Sequence, residues 1–230
     1  MRVLLVDDHT LFCQALSLRL AADPELQLAA AVHSAAEAID FFRSGTADVA
    51  VVDVGLGEDD GIELTRRLRQ LRAAPAVVVL TCRQDKQVAL EAMLAGAFAF
   101  LPKSAEPAAL AASIRAAARG EMSISPDLLI GLLEHEPRSL ADAHATVAGL
   151  SAREQEILRL MVSGLGQSAI AASLFISINT VRTHTQHVLR KLGVKSRTEA
   201  VAVGLRAGLR PDSLPTGPAP LRVAAGATGA

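Results

Sequence analysis

The chain has 230 residues, enough for one large domain or two modest domains that each bury a core of their own. Half of the residues are hydrophobic and a fifth are charged, which is typical of a globular chain rather than a disordered one. With six Phe and no Trp or Tyr, the cores must be aliphatic, and a pocket with aromatic walls for a flat organic ligand is disfavoured.

The net charge of −1 hides an uneven distribution of charge along the chain. Residues 1–125 carry 12 Lys and Arg against 16 Asp and Glu, a net of −4. Residues 150–208 carry 8 against 3, a net of +5. A basic C-terminal region behind an acidic N-terminal one favours a polyanion as the partner of the second.

The start of the chain and its cysteines indicate where the protein works. Residues 1–8 place two acids directly after four apolar residues, so they do not resemble a secretory signal. No uninterrupted apolar run reaches the ~18 residues that a membrane helix needs. Cys13 and Cys82 lack CxxC spacing, and we interpret them as reduced thiols. We therefore expect a cytoplasmic protein without a membrane partner.

Short apolar runs alternate with helical patterns through the first 120 residues. Five buried strands are predicted, at Val3–Val6, Leu28–Val32, Val49–Val52, Val77–Leu80 and Ala97–Leu101. Helices are predicted between and after them, at Leu11–Ala22, Ala35–Arg43, Ile62–Leu71, Gln87–Ala95 and Pro107–Arg119. The alternation predicts an α/β domain over residues 1–120, a doubly wound five-stranded parallel sheet with helices on both faces. The strands lack polar alternation, as strands covered on both sides should.

The remainder of the chain divides into a linker, a helical unit and a tail. Residues 121–148 contain Pro126 and Pro137 and are interpreted as a linker with at most one helical turn. Residues 149–208 predict an all-α four-helix domain, with helices at about 152–163, 168–174, 178–192 and 197–207. Capping boxes are predicted at two helix starts, Ser34 with Glu37 and Ser151 with Glu154. Residues 209–230 are rich in Pro, Gly and Ala and predict a disordered tail.

Chemically active side chains follow four of the five predicted strands. The first strand ends at Asp7 and Asp8, the third at Asp53 and the fourth at Thr81, and the fifth runs on to Lys103. In a doubly wound sheet these ends meet at one edge, where ligands bind. Three close carboxylates repel one another unless a cation lies between them, which favours Mg²⁺. The set predicts phosphoryl transfer to Asp53, with Lys103 and Thr81 contacting the phosphoryl oxygens.

The segments VLLVDDH, VVDVGLGEDDG, VVVLT and FAFLPKS resemble the receiver domains of two-component response regulators, over residues 2–119. The resemblance implies a sheet of strand order 2-1-3-4-5 and a sensor histidine kinase as phosphoryl donor. The matching positions imply these roles: Asp53 as phosphoacceptor; Asp7, Asp8, Asp53 and the Gly55 carbonyl as Mg²⁺ ligands; Thr81 and Lys103 as phosphate contacts; Thr81 and Phe100 as switch residues. Gly57 departs from the Pro that receivers commonly carry there.

The predicted helix at 178–192 contains no acidic residue and divides into two faces. At ~100° per residue, one narrow stripe is expected to face the core: Val181, Thr185, Val188 and Leu192. The opposite side carries Asn179, Thr183, Gln186 and Arg190, with Arg182 on one flank and Thr180, His184, His187 and Lys191 on the other. Such a face suits base edges in a major groove with phosphates on each side, so it predicts binding of double-stranded DNA.

The stretches LSAREQEILRLMVSG and TVRTHTQHVLRKLGVKSRTEAV resemble the LuxR-type helix-turn-helix, over about residues 149–208. Together with the receiver, this stretch resembles the NarL/FixJ class of response regulators. The resemblance implies a transcription factor whose DNA binding is controlled by phosphorylation of Asp53. It also implies that the protein is not an enzyme, apart from catalysing its own phosphorylation. The resemblance implies base contacts from Arg182, Thr183 and Gln186, and phosphate contacts from Thr180, His184, Lys191 and Lys195. It also implies a dimer contact along Glu199–Leu209. Gln186 and Gly166–Ala169 depart from the family, which is often basic at the first position and has a polar SNKEI-like run at the second.

We hypothesise that the unphosphorylated receiver masks the recognition helix, and that phosphorylation frees it and favours dimers. A dinucleotide loop at Gly55–Gly57 is disfavoured, because Asp60 occupies the sixth position and the surrounding acids would repel a pyrophosphate. A transition-metal site at His9 lacks a second suitably spaced His or Cys. Three other classes stay open: an aspartate-based phosphatase, a ligand-sensing LuxR-type regulator and a receiver that acts by interaction alone.

Overall fold

A computed structural model describes residues 1–71, 73–82, 85–123, 126–135 and 137–210. Most of the predicted tail, residues 211–230, lies outside the described residues. None of the described helices is both long and apolar enough to cross a membrane.

A five-stranded parallel sheet forms the N-terminal domain. Its strands are β1 (Arg2–Val6), β2 (Gln27–Val32), β3 (Val49–Asp53), β4 (Ala76–Thr81) and β5 (Ala99–Pro102). Their order across the sheet is β2-β1-β3-β4-β5, which confirms the order implied by the resemblance. Asp53 pairs with Leu80, and Thr81 pairs with Pro102, so the carboxyl ends of these strands are level with one another.

Five helices cover the two faces of this sheet: α1 (Thr10–Ala21), α2 (Ala35–Ser44), α3 (Gly61–Arg69), α4 (Lys86–Leu94) and α5 (Pro107–Ala118). Because side chains alternate between the faces of a strand, β1 sends Leu4 and Val6 to one core and Val3 and Leu5 to the other. The first core is closed by α2, α3 and α4, and the second by α1 and α5. This double burial explains the absence of polar alternation in β1, β3 and β4. The edge strands β2 and β5, which were also predicted to be buried, are mostly only partly buried, because each has a strand on one side alone.

The segment predicted as a linker instead forms two helices, α6 (Pro126–His135) and α7 (Leu140–Ala148). The prediction of at most one helical turn was therefore wrong. Pro126 is the first residue of α6, where the missing N–H has no helical partner to lose, so it starts this helix rather than breaking one. In α7, Ala143 and Val147 are buried in the C-terminal core, so tertiary packing stabilises a helix that is short in isolation.

Four further helices complete the C-terminal domain: α8 (Ala152–Val162), α9 (Gln167–Ser173), α10 (Ile178–Leu192) and α11 (Arg197–Arg206). The capping box at Ser151 and Glu154 is confirmed, since each side chain accepts from the other's backbone N–H. At the α2 start only half of the predicted box forms. Ser34 accepts from the N–H of Glu37, but the Glu37 carboxylate accepts from His33.

Helix α6 joins the two domains by packing between α4 of the sheet domain and α11 of the helical domain. Leu132 of α6 lies in one buried cluster with Leu90 of α4 and Ala202 of α11. Gly131 is buried beside Leu132, and a side chain there would reach the Leu90 methyl groups. The two domains therefore share a small apolar contact.

Candidate functional site

The carboxyl ends of the strands bring together the predicted acidic site, which we define as Asp7, Asp8, Asp53, Thr81 and Lys103. The Lys103 ammonium bridges two of the carboxylates: its Nζ lies 2.6 Å from Asp7 Oδ2 and 2.7 Å from Asp53 Oδ2. The Lys103 N–H donates to the Thr81 carbonyl at 2.8 Å, which holds the loop after β5 against β4. The sheet thus assembles residues that are up to about a hundred positions apart in the chain, as the sequence predicted.

The start of α3 lies very close to the end of β3, next to Asp53 of the acidic site. A Cβ at Gly61, the first residue of α3, would lie 1.8 Å from the Asp53 carbonyl oxygen, so only glycine fits there. Between them, Gly55–Leu56 pairs with Asp59–Asp60 in a short antiparallel hairpin that the sequence did not predict. This hairpin begins two residues beyond Asp53, and the backbone of Gly55 acts to lower the pKa of the Asp53 carboxyl.

Burial and ion pairing oppose each other at the acidic site. Asp7, Asp53 and Thr81 are buried, whereas 32% of the Asp8 side chain is exposed. Burial raises the pKa of Asp53, and the hydrogen bond from Lys103 acts in the opposite direction. For Lys103, burial acts to lower the pKa, but hydrogen bonds to Asp53 and Asp7 outweigh it and the pKa is raised. Lys103 therefore stays charged and holds two carboxylates that would otherwise repel each other.

The donor set at the acidic site fits a divalent cation. One ligand atom from each of Asp7, Asp8, His9 and Asp53 lies within 4.8 Å of all the others. Three carboxylates and one Lys103 ammonium leave two negative charges, which one divalent ion would balance. Carboxylate oxygens are the ligands that Mg²⁺ prefers. The Gly55 carbonyl as a further ligand stays a prediction.

Two residues without a role in the predicted site also line the acidic site: His9, which the sequence disfavoured as a transition-metal ligand, and Phe12, for which it predicted no role. His9 Nδ1 lies 2.8 Å from Asp8 Oδ1, and the His9 N–H donates to Asp7 Oδ1 at 2.9 Å. Phe12, in the first turn of α1, places its ring centroid 4.8 Å from Lys103 Nζ, which is cation–π distance. The signal for both was their position in the turn that follows the first acidic strand end.

Phe100, the predicted switch aromatic, lies on β5 opposite Val79 of β4, one residue from Leu80 and two from Thr81 along that strand. Its ring is partly buried and packs on the core that α4 closes. Thr81 and Phe100 are thus on adjacent strands beside α4. Their roles as phosphate contact and switch stay predictions.

The two predicted faces of α10 are found as expected. Val181, Thr185, Val188 and Leu192 are all buried. The opposite face is exposed, and so is Arg182 on its flank. We call the two together the recognition face, which consists of Asn179, Arg182, Thr183, Gln186 and Arg190. Ser177 caps α10 by accepting from the Thr180 N–H, and Gly193 ends it in a left-handed conformation. The fold therefore presents a polar and basic face along a helix of 15 residues.

The flanking residues of α10 are less uniform. Thr180 and His184 are partly buried, and Lys195 is exposed beyond the end of the helix. Lys191 is 42% exposed, but its Nζ lies 2.7 Å from Glu154 Oε2 of the α8 capping box. The hydrogen bond from Lys191 lowers the pKa of Glu154 to about 2. Lys191, predicted only as a phosphate contact, thus also forms an ion pair with Glu154.

The predicted masking of the recognition helix is not what the structure shows. The five residues of the recognition face are exposed to solvent. The covered element is α11, the predicted dimer contact: Ala202 is 2% exposed and packs with Leu132 and Leu90. Part of α11 is covered because α6, which was expected to be a linker, is a helix whose apolar side packs between α4 and α11.

Comparisons with known proteins match both domains. Residues 3–115 match the response regulator receiver domain, and residues 148–203 match the luxR family of bacterial regulatory proteins. The chain is 32% identical to the transcriptional regulatory protein LiaR of Bacillus subtilis, over 89% of this chain and 97% of that protein. It is 33% identical to the DNA-binding transcriptional activator DevR/DosR of Mycobacterium tuberculosis, over 86% of this chain and 91% of that protein.

Among solved structures, a LuxR-family two-component response regulator from Aurantimonas sp. SI85-9A1 superimposes with a TM-score of 0.52 at 33% identity. The match covers 60% of this chain and 98% of that chain. The acidic site at the sheet edge and the exposed α10 lie within the two matched domains. The chain therefore belongs to the LuxR-type response regulators, with a receiver domain followed by a LuxR-type DNA-binding domain.

Proposed function

We propose that this response regulator controls transcription through phosphorylation of Asp53 by a sensor histidine kinase, and that this phosphorylation switches its binding to double-stranded DNA. The observation that carries the proposal is the position of the Lys103 ammonium, in contact with both Asp53 and Asp7 at the carboxyl edge of the sheet. A buried Lys held by two carboxylates is poised to neutralise charge on a group attached to one of them.

In the transfer step, an Asp53 carboxylate oxygen attacks phosphorus and forms a new O–P bond. The P–N bond to the donor histidine breaks, and its electron pair returns to the imidazole, which takes up a proton. Lys103 lies close enough to neutralise the transferred oxygens, and Thr81, one residue beyond the partner of Asp53, supplies a hydroxyl. Desolvation around the buried Asp53 strengthens these interactions.

We assign Asp7, Asp8, Asp53 and the Gly55 carbonyl as the ligands of Mg²⁺. When bound, the ion supplies positive charge that offsets the phosphoryl oxygens. His9 contacts the carboxylates of Asp7 and Asp8, and we assign it the role of orienting them.

For the output, we propose that the recognition face enters a major groove. Arg182, Thr183 and Gln186 would read bases, with Asn179 and Arg190 beside them, while Thr180, His184, Lys191 and Lys195 would approach phosphates. DNA-bound protein would be a homodimer formed along Glu199–Leu209, with half-sites about one DNA turn apart. A histidine kinase as donor and DNA as target place this activity in the cytoplasm.

Gel-shift titration with and without beryllofluoride tests the proposal, on DNA selected from a random pool by the beryllofluoride-treated protein. We expect tighter binding after treatment in the presence of Mg²⁺, and no change in Asp53→Asn. Incubation with acetyl phosphate should add one phosphoryl group to the wild type, measured as intact mass, and none to Asp53→Asn. Equal DNA affinity of treated and untreated wild type would refute phosphorylation control and favour a receiver that acts by interaction alone.

A further inference from the structure

The end of the receiver domain lies directly against the start of α9. A Cβ on Gly120, just after α5, would lie 3.1 Å from Gln167 Cγ. A Cβ on Gly166, the N-cap of α9, would lie 2.3 Å from the Arg119 carbonyl oxygen and 2.9 Å from Glu121 Cγ. Gly166 therefore allows a backbone-to-backbone approach of the domains that a larger residue would prevent. At Gly120, which has a φ of 75°, a side chain would be both strained and crowded by Gln167.

Gly166 is not required by its own backbone. Its φ of −70° and ψ of 168° are ordinary values that any residue adopts, and a Ser there would have capped α9. In this structure the glycine is explained by the Arg119 carbonyl that occupies the space of a side chain. Gly166 also begins the short run, Gly166–Ala169, in which the sequence departs from the polar pattern of the family.

The next residue links this contact to the DNA-binding surface. Gln167 lies against Gly120 on one side, and its Oε1 accepts a hydrogen bond from Arg182 Nε at 3.1 Å on the other. Arg182 belongs to the recognition face, where it is exposed and is assigned a base contact. One side chain therefore touches both the receiver and a residue that reads DNA.

We propose that Gln167 is a positioning residue that makes the orientation of Arg182 depend on the receiver. While the receiver contacts α9, the backbone of Gly120 restricts Gln167, and Gln167 holds the Arg182 guanidinium away from a base. When the receiver leaves, Gln167 regains its rotamers and Arg182 is free to contact a base. This inference rests on the proposed function, since it requires that phosphorylation moves the receiver.

The test is the loss of DNA affinity caused by Arg182→Ala, measured in the full chain with and without beryllofluoride on the selected DNA. In the wild-type background we expect a loss of less than about twofold without beryllofluoride. With it we expect about tenfold, the size of one Arg–base contact. In a Gln167→Ala background, the loss should be about tenfold in both states, because nothing holds Arg182.

Gly166→Ala provides a second arm that leaves Gln167 in place. Its Cβ cannot coexist with the Arg119 carbonyl, so the contact opens and Arg182→Ala should cost about tenfold in both states. Gly149→Ala is the matched control: this glycine ends α7 at a φ of −73°, and a Cβ there meets nothing closer than 3.4 Å. It should behave as the wild type does.

The outcomes separate this inference from the proposed function. If beryllofluoride leaves the DNA affinity of the wild type unchanged, the proposed function fails. If the wild type responds but Arg182→Ala costs the same in both states, only the role of Gln167 is refuted. A state-dependent loss that persists in Gln167→Ala, in a variant with an unchanged unfolding midpoint, also refutes it.

Discussion

Shortening Leu132 to Ala should release α11 and let the unphosphorylated protein dimerise. Leu132 is 1% exposed and lies in the cluster with Leu90 and Ala202. Separating α11 from α6 and α4 would expose part of this side chain to water, so its burial stabilises the closed state more than the open one. The substitution thus acts on the equilibrium between the two states.

The magnitude follows from the atoms removed. Leu132→Ala deletes about three buried carbon groups at ~0.8 kcal/mol each, which weakens the closed state by about 2 kcal/mol. This corresponds to a roughly 30-fold change in the ratio of open to closed protein. Because both protomers must be open to pair, the dimer dissociation constant varies with the inverse square of the open fraction while that fraction is small. It should therefore fall by up to the square of this factor, about 900-fold.

Sedimentation equilibrium of the unphosphorylated protein measures this change. The matched control is Ile130→Ala on the same helix, where the side chain is 52% exposed and a shift of less than about threefold is expected. After beryllofluoride treatment both variants should dimerise as the wild type does, since the closed state is then depleted. Equal dimer affinities for Leu132→Ala and Ile130→Ala without beryllofluoride would refute the role of this cluster.

Three further substitutions test the acidic site and the helical domain. Phe12→Leu removes the ring beside Lys103 Nζ, a contact worth ~0.5–2 kcal/mol. The rate of phosphorylation by acetyl phosphate, followed by intact mass, should therefore fall roughly two- to thirtyfold. An unchanged rate would contradict this. The pKa of Glu154 is lowered by Lys191 to about 2 from 4.5, so the stability that this pair adds is complete above about pH 4.5 and is lost as the pH falls towards 2. Glu154→Gln should therefore melt below the wild type at pH 6 and together with it near pH 2, and a gap that is constant with pH would disprove this reasoning. Phe175 is 95% exposed and has a φ of 54°, a left-handed conformation that Asn tolerates better than Phe. Phe175→Asn should therefore raise the free energy of unfolding, measured in urea, by about 1 kcal/mol. A less stable variant would argue against backbone strain at this position.

The acidic site was predictable because a parallel sheet fixes where strand ends lie. Asp7, Asp53 and Thr81 each follow an uninterrupted apolar run, and that pattern alone determines that they share an edge. The Lys103 contacts required only one more strand in the same register. The buried stripe of α10 was predictable for a similar reason, since helical geometry separates its two faces.

The contacts between the domains were not predictable in this way. Helix α6 starts at Pro126 and contains Gly131, and both Pro and Gly are loop signals in a sequence. Contacts with Leu90 and Ala202 stabilise α6. Because these two residues lie in different domains, no local sequence pattern predicts this helix. The pairing of Lys191 with Glu154 likewise depends on the crossing of α8 and α10 and not on spacing along either helix.

Under the proposed function, the position of α4 would explain how a small contact can be enough for control. On one side α4 follows β4 and packs beside β5, the strands that carry Thr81 and Phe100; on the other it holds α6 and α11 through Leu90. A phosphoryl group on Asp53 changes the free energy of the α4 position only by the interactions that differ between the two states. The free energy of a large apolar interface would exceed that difference, and the chain would stay in the closed state after phosphorylation. A cluster centred on Leu90, Leu132 and Ala202 is worth only a few kcal/mol, about the size of typical coupling energies. Under the proposed function, one covalent change at the sheet edge would therefore be enough to release α11.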